Sequence, residues 1–288
     1  MAIGVIAGPA GASSTPACPL SLYRSAKPLV IAHASGTYFG PPNTIEMARA
    51  AVKAGADVVD ADVRVTKDGV LVMSHEDNLA AMTNGTGSLV GHTLAEIQAL
   101  DGGYRWAGPK GNFPLRGRGV KIPTVEAFLN AFPHRRVSLE FKVTGGERQM
   151  CNLVRRLRRA SDVYIGSAGD AAVDRFKPIC PEVTTTVTDA MVPLMQAARQ
   201  SGAAYCSAAP IGQPPYRIGN RKLIDPASVK WDHEHGMAVY TWTIEDPETL
   251  AEVARAGVDG VYTGRSDIAR KVFDKESRRA KVRSAKVG

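Results

Sequence analysis

What the sequence lacks excludes several classes of protein. It contains no uninterrupted run of about 18 apolar residues, so no segment is predicted to cross a membrane as a helix. No GxGxxG motif follows the first predicted strand and no CxxC pair is present, which argues against a dinucleotide-binding domain and against zinc-ribbon or thioredoxin-like sites. The hydrophobic fraction of 44% and the charged fraction of 22% are instead typical of a globular chain with a substantial core.

Cysteine is scarce. The chain has four, at Cys18, Cys151, Cys180 and Cys206, and they are widely spaced. An even number is compatible with disulfide bonds, but this spacing also allows buried thiols. The sequence therefore leaves the redox state of the four cysteines open.

The first 28 residues are rich in Ala, Gly, Ser and Pro, with a short apolar stretch at Ile3–Ala7. They lack the basic start and the full-length apolar segment of a signal peptide, so we expect residues 1–28 to be a leader or a disordered segment. The small-residue composition favours an extracytoplasmic location, with the cytoplasm as the alternative.

Positive charge is concentrated at the other end of the chain. Residues 270–288 hold eight basic and two acidic residues, and so carry +6 of the formal net charge of +8. Without interleaved aromatic residues, this segment does not favour a nucleic-acid partner. We expect residues 271–288 to form a basic C-terminal tail that is solvated and frayed, with peripheral contact to an anionic membrane surface as the alternative.

Strand and helix patterns alternate along most of the chain. A buried strand over 29–33 is followed by helical spacing over Thr44–Ala54, and Asp68-Gly69 predicts a hairpin between two apolar runs. Asp246-Pro247 and Gly257 are typical of a helix start and a helix end. Further strands are predicted over 57–63, 70–74, 136–143, 163–167, 183–187, 204–208, 238–244 and 260–263.

About eight βα units of this kind predict a parallel sheet that closes into a TIM (β/α)8 barrel over residues 29–270. Residues 77–122 are rich in Gly, Thr and Asn, with one helical piece near 93–100, and are predicted to be a small insertion after the second strand. An open doubly wound sheet is the second-ranked architecture. In a barrel, functional side chains are expected at the carboxyl ends of the strands.

Polar side chains follow the predicted strands at those ends. Asp60 and Asp62 are two residues apart and therefore share one face of a strand, as do Glu140 and Lys142. Two histidines stand at comparable positions. The candidate residues are His33, Asp60, Asp62, His75, Glu140 and Lys142.

Three carboxylates at one barrel mouth would repel one another unless a cation neutralised them, and oxygen ligands favour Mg²⁺ or Ca²⁺ over zinc or copper. Two histidines beside such a cation suit acid–base chemistry on an oxygen leaving group, and a lysine suits an anionic substrate such as phosphate. Each residue alone could equally be structural. Their joint pattern predicts metal-assisted cleavage of a small-molecule phosphoester.

Short motifs in a fixed order carry a resemblance to one known family. The sequence resembles the glycerophosphodiester phosphodiesterases over roughly residues 29–270. The block from the first histidine through the paired carboxylates to the second histidine is the most specific part. The motifs are His33, Pro41-x-Asn43-Thr44, Asp60-Ala-Asp62-Val, Thr66-Lys-Asp68-Gly69, His75-Glu76, Thr83-Asn-Gly-Thr-Gly87, Ile122-Pro-Thr124, Leu139-Glu140-Phe-Lys142, Trp242-Thr243 and Gly257-Val-Asp-Gly260.

The resemblance implies a TIM barrel with a segment inserted after the second strand, and hydrolysis of glycerophosphodiesters to glycerol 3-phosphate and an alcohol. It implies that His33 and His75 act as an acid–base pair. Lys142 would steady a phosphate oxygen, and Trp242 would wall the pocket for the glycerol or headgroup. The residues implied to hold one divalent cation, Mg²⁺ or Ca²⁺, are Asp60, Asp62 and Glu140.

The sequence departs from the family pattern around the expected phosphate. The usual His-Arg-Gly is His33-Ala34-Ser35, so an arginine expected on the phosphate is missing, and a second expected arginine is replaced near Ala81. Losing one such contact costs about 1.5–3 kcal/mol. Three further departures are Pro42 for an acidic residue, Asp60 for a glutamate and Gly264 for an aspartate.

Two alternatives follow from these departures. The first is an enzyme similar to the phospholipases D, acting on a lysophospholipid or sphingolipid at a membrane surface. The second is a catalytically weak member of the family that binds phosphate. The intact histidines favour an active enzyme over the second alternative.

Overall fold

The computed structural model describes residues 18–285 of the chain. The main architecture is a barrel of parallel strands surrounded by helices. The strands are β1 (Leu29–Ala32), β2 (Val58–Val65), β3 (Leu71–Met73), β4 (Val137–Phe141), β5 (Val163–Ser167), β6 (Thr184–Thr185), β7 (Ile211–Gly212), β8 (Arg217–Ile218), β9 (Arg221–Lys222), β10 (Ala238–Thr241) and β11 (Gly260–Thr263).

Eight of these strands form the barrel wall, in the order β6-β5-β4-β2-β1-β11-β10-β7. β1 pairs in parallel with both β2 and β11, so the first and last strands are neighbours and the open doubly wound sheet is excluded. At the remaining seam, the amide of Val187 after β6 donates to the carbonyl of Ile211 at 2.8 Å. The predicted TIM barrel is confirmed.

Helices follow the strands on the outside of the barrel. Asp246 accepts a hydrogen bond from the amide of Thr249 at 2.8 Å, and Gly257 ends the same helix with a φ of +93°, as their residue types predict. The helices are α1 (Ile45–Lys53), α2 (Leu94–Ala99), α3 (Val125–Ala131), α4 (Glu147–Arg156), α5 (Asp170–Ile179), α6 (Val192–Ser201), α7 (Pro226–Glu234), α8 (Pro247–Ala256) and α9 (Ser266–Ser284).

The insertion stands on the carboxyl side of the barrel. β3 runs antiparallel to the end of β2, with Val63 opposite Met73, and brings the chain back to the barrel mouth. The insertion has its own small core, in which Leu79, Leu89 and Ile97 are fully buried. The insertion is therefore a compact part of the domain with its own core, rather than a linker.

One predicted strand is wrong. Residues 204–208 form an irregular loop, and the strand of this unit is β7, which begins three residues further on. The hydroxyl of Ser207 donates to the carbonyl of Ala209 at 2.7 Å, and Cys206 is bonded to Cys18. These local bonds compete with the pairing of this segment along a strand.

The described part of the expected leader packs on the barrel. Residues 18–28 cross its amino end, tied by the Cys18–Cys206 disulfide. The Ser21 hydroxyl donates to the carbonyl of Pro210 at 2.7 Å, and the Tyr23 hydroxyl donates to Thr184 at 2.8 Å. These contacts contradict the expectation of disorder for residues 18–28, and residues 1–17 lie outside the described part.

The expected basic tail is also different. Helix α9 runs without interruption through residue 284, so the segment beyond residue 270 is helical and continuous with the barrel's last helix. Residues 286–288 lie outside the described part. Among residues 18–285, no helix combines the length and the hydropathy that crossing a membrane would require.

The four cysteines form two disulfides. Cys18 pairs with Cys206 and Cys151 pairs with Cys180, with Cα atoms 5.5 and 5.6 Å apart. The first bond joins the N-terminal segment to the barrel, and the second joins α4 to the end of α5. The structure thereby decides the question that the spacing left open.

Candidate active site

The site begins with a left-handed turn directly after β1. His33 is followed by Ala34 and Ser35 with φ of +44° and +71°, which is costly for residues with a Cβ atom. The turn is held because the amide of Ala34 donates to Asp60 Oδ2 at 3.0 Å, and the hydroxyl of Ser35 donates to the Asp60 carbonyl at 3.3 Å. The strained turn thus fixes His33 relative to Asp60.

Asp60 and Asp62 point to one face of β2 and are only 5% and 3% exposed. Asn43, from the loop after β1, forms two hydrogen bonds with Asp62. Its Nδ2 donates to Asp62 Oδ2 at 2.8 Å, and its Oδ1 accepts from the Asp62 amide at 2.9 Å. The Asp62 carboxylate therefore has a fixed orientation before any ligand arrives.

Lys142 lies between two of the carboxylates. β2 and β4 are in register with Asp62 opposite Glu140. The Lys142 ammonium lies 3.0 Å from Asp62 Oδ1 and 2.7 Å from Glu140 Oε1. Glu140 is the more accessible partner, with its side chain 35% exposed.

His75 reaches the same end of the barrel from β3. The amide of Ser74 donates to the carbonyl of Asp62 at 2.8 Å, which sets the position of the following residue. The His75 ring is half exposed, and its Nδ1 lies 2.8 Å from Glu76 Oε1. Arg64 donates twice to the His75 carbonyl, at 2.8 and 3.0 Å, and so anchors its backbone.

Burial and repulsion shape the titration of this cluster. Burial raises the pKa of Asp60 to about 8, with further contributions from the charges of Asp62 and Glu140. Burial lowers the pKa of His33, against the opposing pull of the same two carboxylates, so its imidazole is neutral at pH 7. Burial opposes the charge of Lys142, but Asp62 and Glu140 outweigh it and raise the pKa of the amine.

The donor chemistry of the site fits a hard cation. Asp60, Asp62 and Glu140 offer only oxygen, and burial with the neighbouring carboxylates disfavours the ionised form of Asp60, which a divalent ion would stabilise. Among the described residues, the ligand oxygens of these three carboxylates do not all lie within 4.8 Å of one another, and Lys142 pairs with both Asp62 and Glu140. In the described residues, the one cluster that does meet this distance contains Cys151 and Cys180, which are already joined to each other.

Trp242 lies on the mouth directly after β10. Its side chain is 46% exposed, and its Nε1 donates to the carbonyl of Gln213 at 2.8 Å. The indole therefore lies beside the end of β7 and is partly exposed. Within the described residues, neither the Trp242 indole nor the His75 ring forms a hydrogen bond or ion pair with Asp60, Asp62 or Glu140.

The structure leaves no room for a side chain at Gly264, where the family usually has an aspartate. A Cβ atom there would lie 2.5 Å from Thr37 Oγ1 and 2.8 Å from Glu245 Oε1. Glu245 therefore brings a carboxylate into the space that an aspartate at position 264 would use. Arg265, the next residue, stacks on the ring of Tyr38 with its guanidinium carbon 3.9 Å from the ring centroid.

Two supporting residues were not singled out from the sequence. Asn43 is part of a recognised motif, but only the structure shows that it clamps Asp62. Tyr262 points into the barrel below the site, and its hydroxyl lies 3.2 Å from Ser138, which also hydrogen bonds Asp60. A tyrosine in an apolar strand carries no sequence pattern that would assign it this position.

Comparisons with known proteins agree with the fold. The model of the "Glycerophosphoryl diester phosphodiesterase family" matches residues 33–268. YhdW of Bacillus subtilis (strain 168) is 30% identical over 244 residues, covering 83% of this chain and 95% of the relative. A second Bacillus subtilis (strain 168) relative, named glycerophosphodiester phosphodiesterase, is 28% identical over 260 residues, covering 85% of this chain and 86% of its own.

Solved structures show the same fold. The phosphodiesterase domain of Rv2277c from Mycobacterium tuberculosis superposes with a TM-score of 0.74 at 20% identity, covering 85% of this chain and 98% of the other. The Oleispira antarctica phosphodiesterase in complex with the product sn-glycerol-3-phosphate superposes with a TM-score of 0.67 at 22% identity, covering 86% and 97%. The chain belongs to the glycerophosphoryl diester phosphodiesterase family.

Proposed function

We propose that the chain hydrolyses glycerophosphodiesters to glycerol 3-phosphate and an alcohol. The observation that carries this proposal is the buried cluster of Asp60, Asp62, Glu140 and Lys142 at the barrel mouth, with His33 fixed beside it. Family membership and the names of the relatives support it. Water attacks phosphorus, the bond from phosphorus to the alcohol oxygen breaks, and the alcohol leaves with a proton.

His33 and His75 are proposed as the acid–base pair. The lowered pKa of His33 leaves its imidazole neutral, so a ring nitrogen can accept the proton of the attacking water. His75, with Nδ1 held by Glu76, would deliver a proton to the departing alcohol oxygen. The charge of Lys142 would steady a phosphate oxygen, and Trp242 would wall the glycerol or headgroup pocket.

Asp60, Asp62 and Glu140 are proposed to hold one divalent cation, Mg²⁺ or Ca²⁺. When bound, such an ion would supply positive charge to the phosphate oxygens as negative charge builds in the transition state. The protein's own part is to present the carboxylates, with Asp62 oriented by Asn43. Hydrolysis is expected to stop in EDTA and to resume when one of the two ions is restored.

The test of the acid–base pair is glycerol 3-phosphate release by His33→Ala and His75→Ala. Each loss is expected to lower turnover by about 10²–10⁴-fold. His134→Ala is the matched control, since His134 is exposed on the connection between α3 and β4 at the opposite end of the barrel. Wild-type turnover in both site variants, with an unchanged melting temperature, would sink the assignment.

A lipid substrate is the second candidate. Ala34 stands where an arginine is expected on the phosphate, and a second expected arginine is missing near Ala81, which favours a substrate held partly through other parts of the molecule. Comparing glycerophosphocholine with lysophosphatidylcholine separates the two functions. Release of choline from the lysolipid alone would favour the phospholipase D-like alternative, and binding of both without any product would favour the catalytically weak one.

We also propose an extracytoplasmic location. The two disulfides support it, because disulfides persist in oxidising compartments and are rare in the cytosol. Cell fractionation checks this directly. Recovery of the protein in the cytoplasmic fraction with four reactive thiols would contradict the proposal.

A further inference from the structure

Exposed apolar side chains gather at the catalytic end of the barrel. Of the ten large hydrophobic residues that are exposed among residues 18–285, five lie on loops that follow the carboxyl ends of barrel strands. Phe113 of the insertion is 43% exposed, Ile218 is 64% exposed, and Trp242 is 46% exposed. Apolar groups concentrated on one face mark an interaction surface rather than ordinary exposure.

Part of this surface is a strongly basic loop of the insertion, residues 103–121, which we name the mouth loop. It contains no acidic residue, and within the described chain none of its basic side chains forms an ion pair. The Trp106 indole donates to the carbonyl of Thr37 at 3.4 Å, so the loop lies beside the turn after His33. Its basic residues are Arg105, Lys110, Arg116, Arg118 and Lys121.

Phe113 is held at the surface of the mouth loop by its neighbours. The Arg116 guanidinium carbon lies 4.0 Å from the centroid of the Phe113 ring and 4.2 Å from that of Tyr104. Arg116 also donates to the Tyr104 carbonyl at 3.0 Å. The loop thus presents an aromatic ring together with unpaired positive charge, in a fixed arrangement.

The second part is the hairpin of β8 and β9, residues 217–222. All six of its residues are exposed, and they include Arg217, Ile218, Arg221 and Lys222. The hairpin grows from the mouth, because the amide of Tyr216 donates to the carbonyl of Trp242 at 3.4 Å. Lys222 forms an ion pair with Glu252, so the exposed Ile218 lies between two cations that form no ion pair in the described chain, Arg217 and Arg221. This arrangement repeats the chemistry of the mouth loop.

We propose that the mouth loop and the hairpin, here called the mouth rim, dock against an anionic lipid bilayer. Positive charge complements the lipid headgroups, and Phe113 and Ile218 insert among them. The apolar members favour a bilayer over a nucleic acid, which would pair with the cations but leave Ile218 exposed. The mouth then faces the lipid surface, which matters for substrate supply if the proposed phosphodiesterase function holds.

The basic end of α9 is on the opposite side of the molecule. Lys27, just before β1, pairs with Asp274 at 2.8 Å, so α9 has already reached the amino end of the barrel at that point. The cations that follow Asp274 project from that end. A flat membrane bound through them would leave the active-site mouth pointing away from the lipid.

The test is co-sedimentation of the full chain with vesicles of phosphatidylcholine, with and without phosphatidylglycerol. Each cation near an anionic surface contributes about fivefold to partitioning, so Lys110→Ala with Arg118→Ala is expected to lower binding by about 25-fold. Phe113→Ser should lower it as well. The matched control is Lys275→Ala with Arg278→Ala in α9, which removes the same charge at the opposite end and should leave binding unchanged.

Each outcome decides the proposal. Loss of binding in the α9 variant instead of the mouth-loop variant would overturn it, as would equal binding to vesicles with and without phosphatidylglycerol. Binding that survives Phe113→Ser and is matched by duplex DNA would indicate a polyanion partner and also overturn it. Turnover of soluble glycerophosphocholine, measured on the same variants, reports the proposed function separately and is expected to stay at the wild-type level.

Discussion

The buried carboxylate of Asp60 lowers the free energy of unfolding of the protein. Its replacement by asparagine should therefore stabilise the chain in the absence of metal. Asp60 is 5% exposed, and burial together with Asp62 and Glu140 raises its pKa from 3.8 to about 8. Asparagine keeps the oxygen that accepts from the Ala34 amide but removes the charge. The same change should abolish hydrolysis, because a proposed cation ligand is lost.

The magnitude follows from linkage. A tenfold change in a proton-binding constant is worth about 1.4 kcal/mol, so a pKa raised from 3.8 to about 8 corresponds to about 6 kcal/mol when the group is fully ionised in the unfolded chain. Part of this free energy comes from repulsion that Asp60 shares with Asp62 and Glu140. We therefore assign about half of the total, 3 kcal/mol, to the charge of Asp60.

The direction of the Asp60 pKa shift determines how the stability of the protein depends on pH. Because the folded-state pKa lies above the unfolded-state pKa, the folded chain holds more protons, and wild-type stability falls as pH rises from about 4 to about 8. The advantage of Asp60→Asn should therefore be below about 1 kcal/mol near pH 5 and reach about 3 kcal/mol near pH 8. For a domain of this size, 3 kcal/mol raises the melting temperature by about 6–12 °C.

The assay is thermal unfolding in EDTA across this pH range, followed by titration with Mg²⁺ or Ca²⁺. The added ion should raise the melting temperature of the wild type and leave Asp60→Asn nearly unchanged, since binding to the folded state alone stabilises it. Asp174→Asn, on the exposed face of α5, is the control and should have no effect at any pH. Equal melting temperatures of Asp60→Asn and wild type near pH 8, or equal stabilisation of both by the ion, would refute the reasoning.

Two further predictions follow from other contacts. Lys142→Met should reduce kcat/KM for a glycerophosphodiester by about ten- to a hundredfold, because a charge-assisted contact to phosphate is worth about 1.5–3 kcal/mol. Steady-state kinetics at a fixed ion concentration measure this change, and an unchanged kcat/KM would contradict the proposed role of Lys142. Cys18→Ser with Cys206→Ser should lower the free energy of unfolding by about 2–5 kcal/mol, because the disulfide closes a very long loop. Denaturant titration measures the change, with turnover near the wild-type value as the control. An unaltered free energy of unfolding would show that residues 18–28 stay packed on the barrel without the disulfide.

Much of the fold could be predicted from local pattern. Strand β5 and strand β11 begin and end where the apolar runs do, and helix α8 has the cap and the stop that its residue types predict. The prediction of a strand over 204–208 is wrong because its apolar composition is ambiguous, and a disulfide at Cys206 with a local hydrogen bond at Ser207 favours an irregular loop. Composition also misled at both ends, where residues 18–28 and α9 pack on the barrel through contacts distant in sequence.

The sequence by itself determined which chemistry the mouth could carry, because side chains two apart on a strand share a face and the carboxyl ends of parallel strands meet at one edge. Only the tertiary structure decided how those side chains are held. The Asn43 clamp on Asp62, the left-handed turn after His33, and the position of Lys142 between Asp62 and Glu140 each depend on segments far apart in the chain. Distances and burial set pKa values and ligand geometry, and no local pattern encodes them.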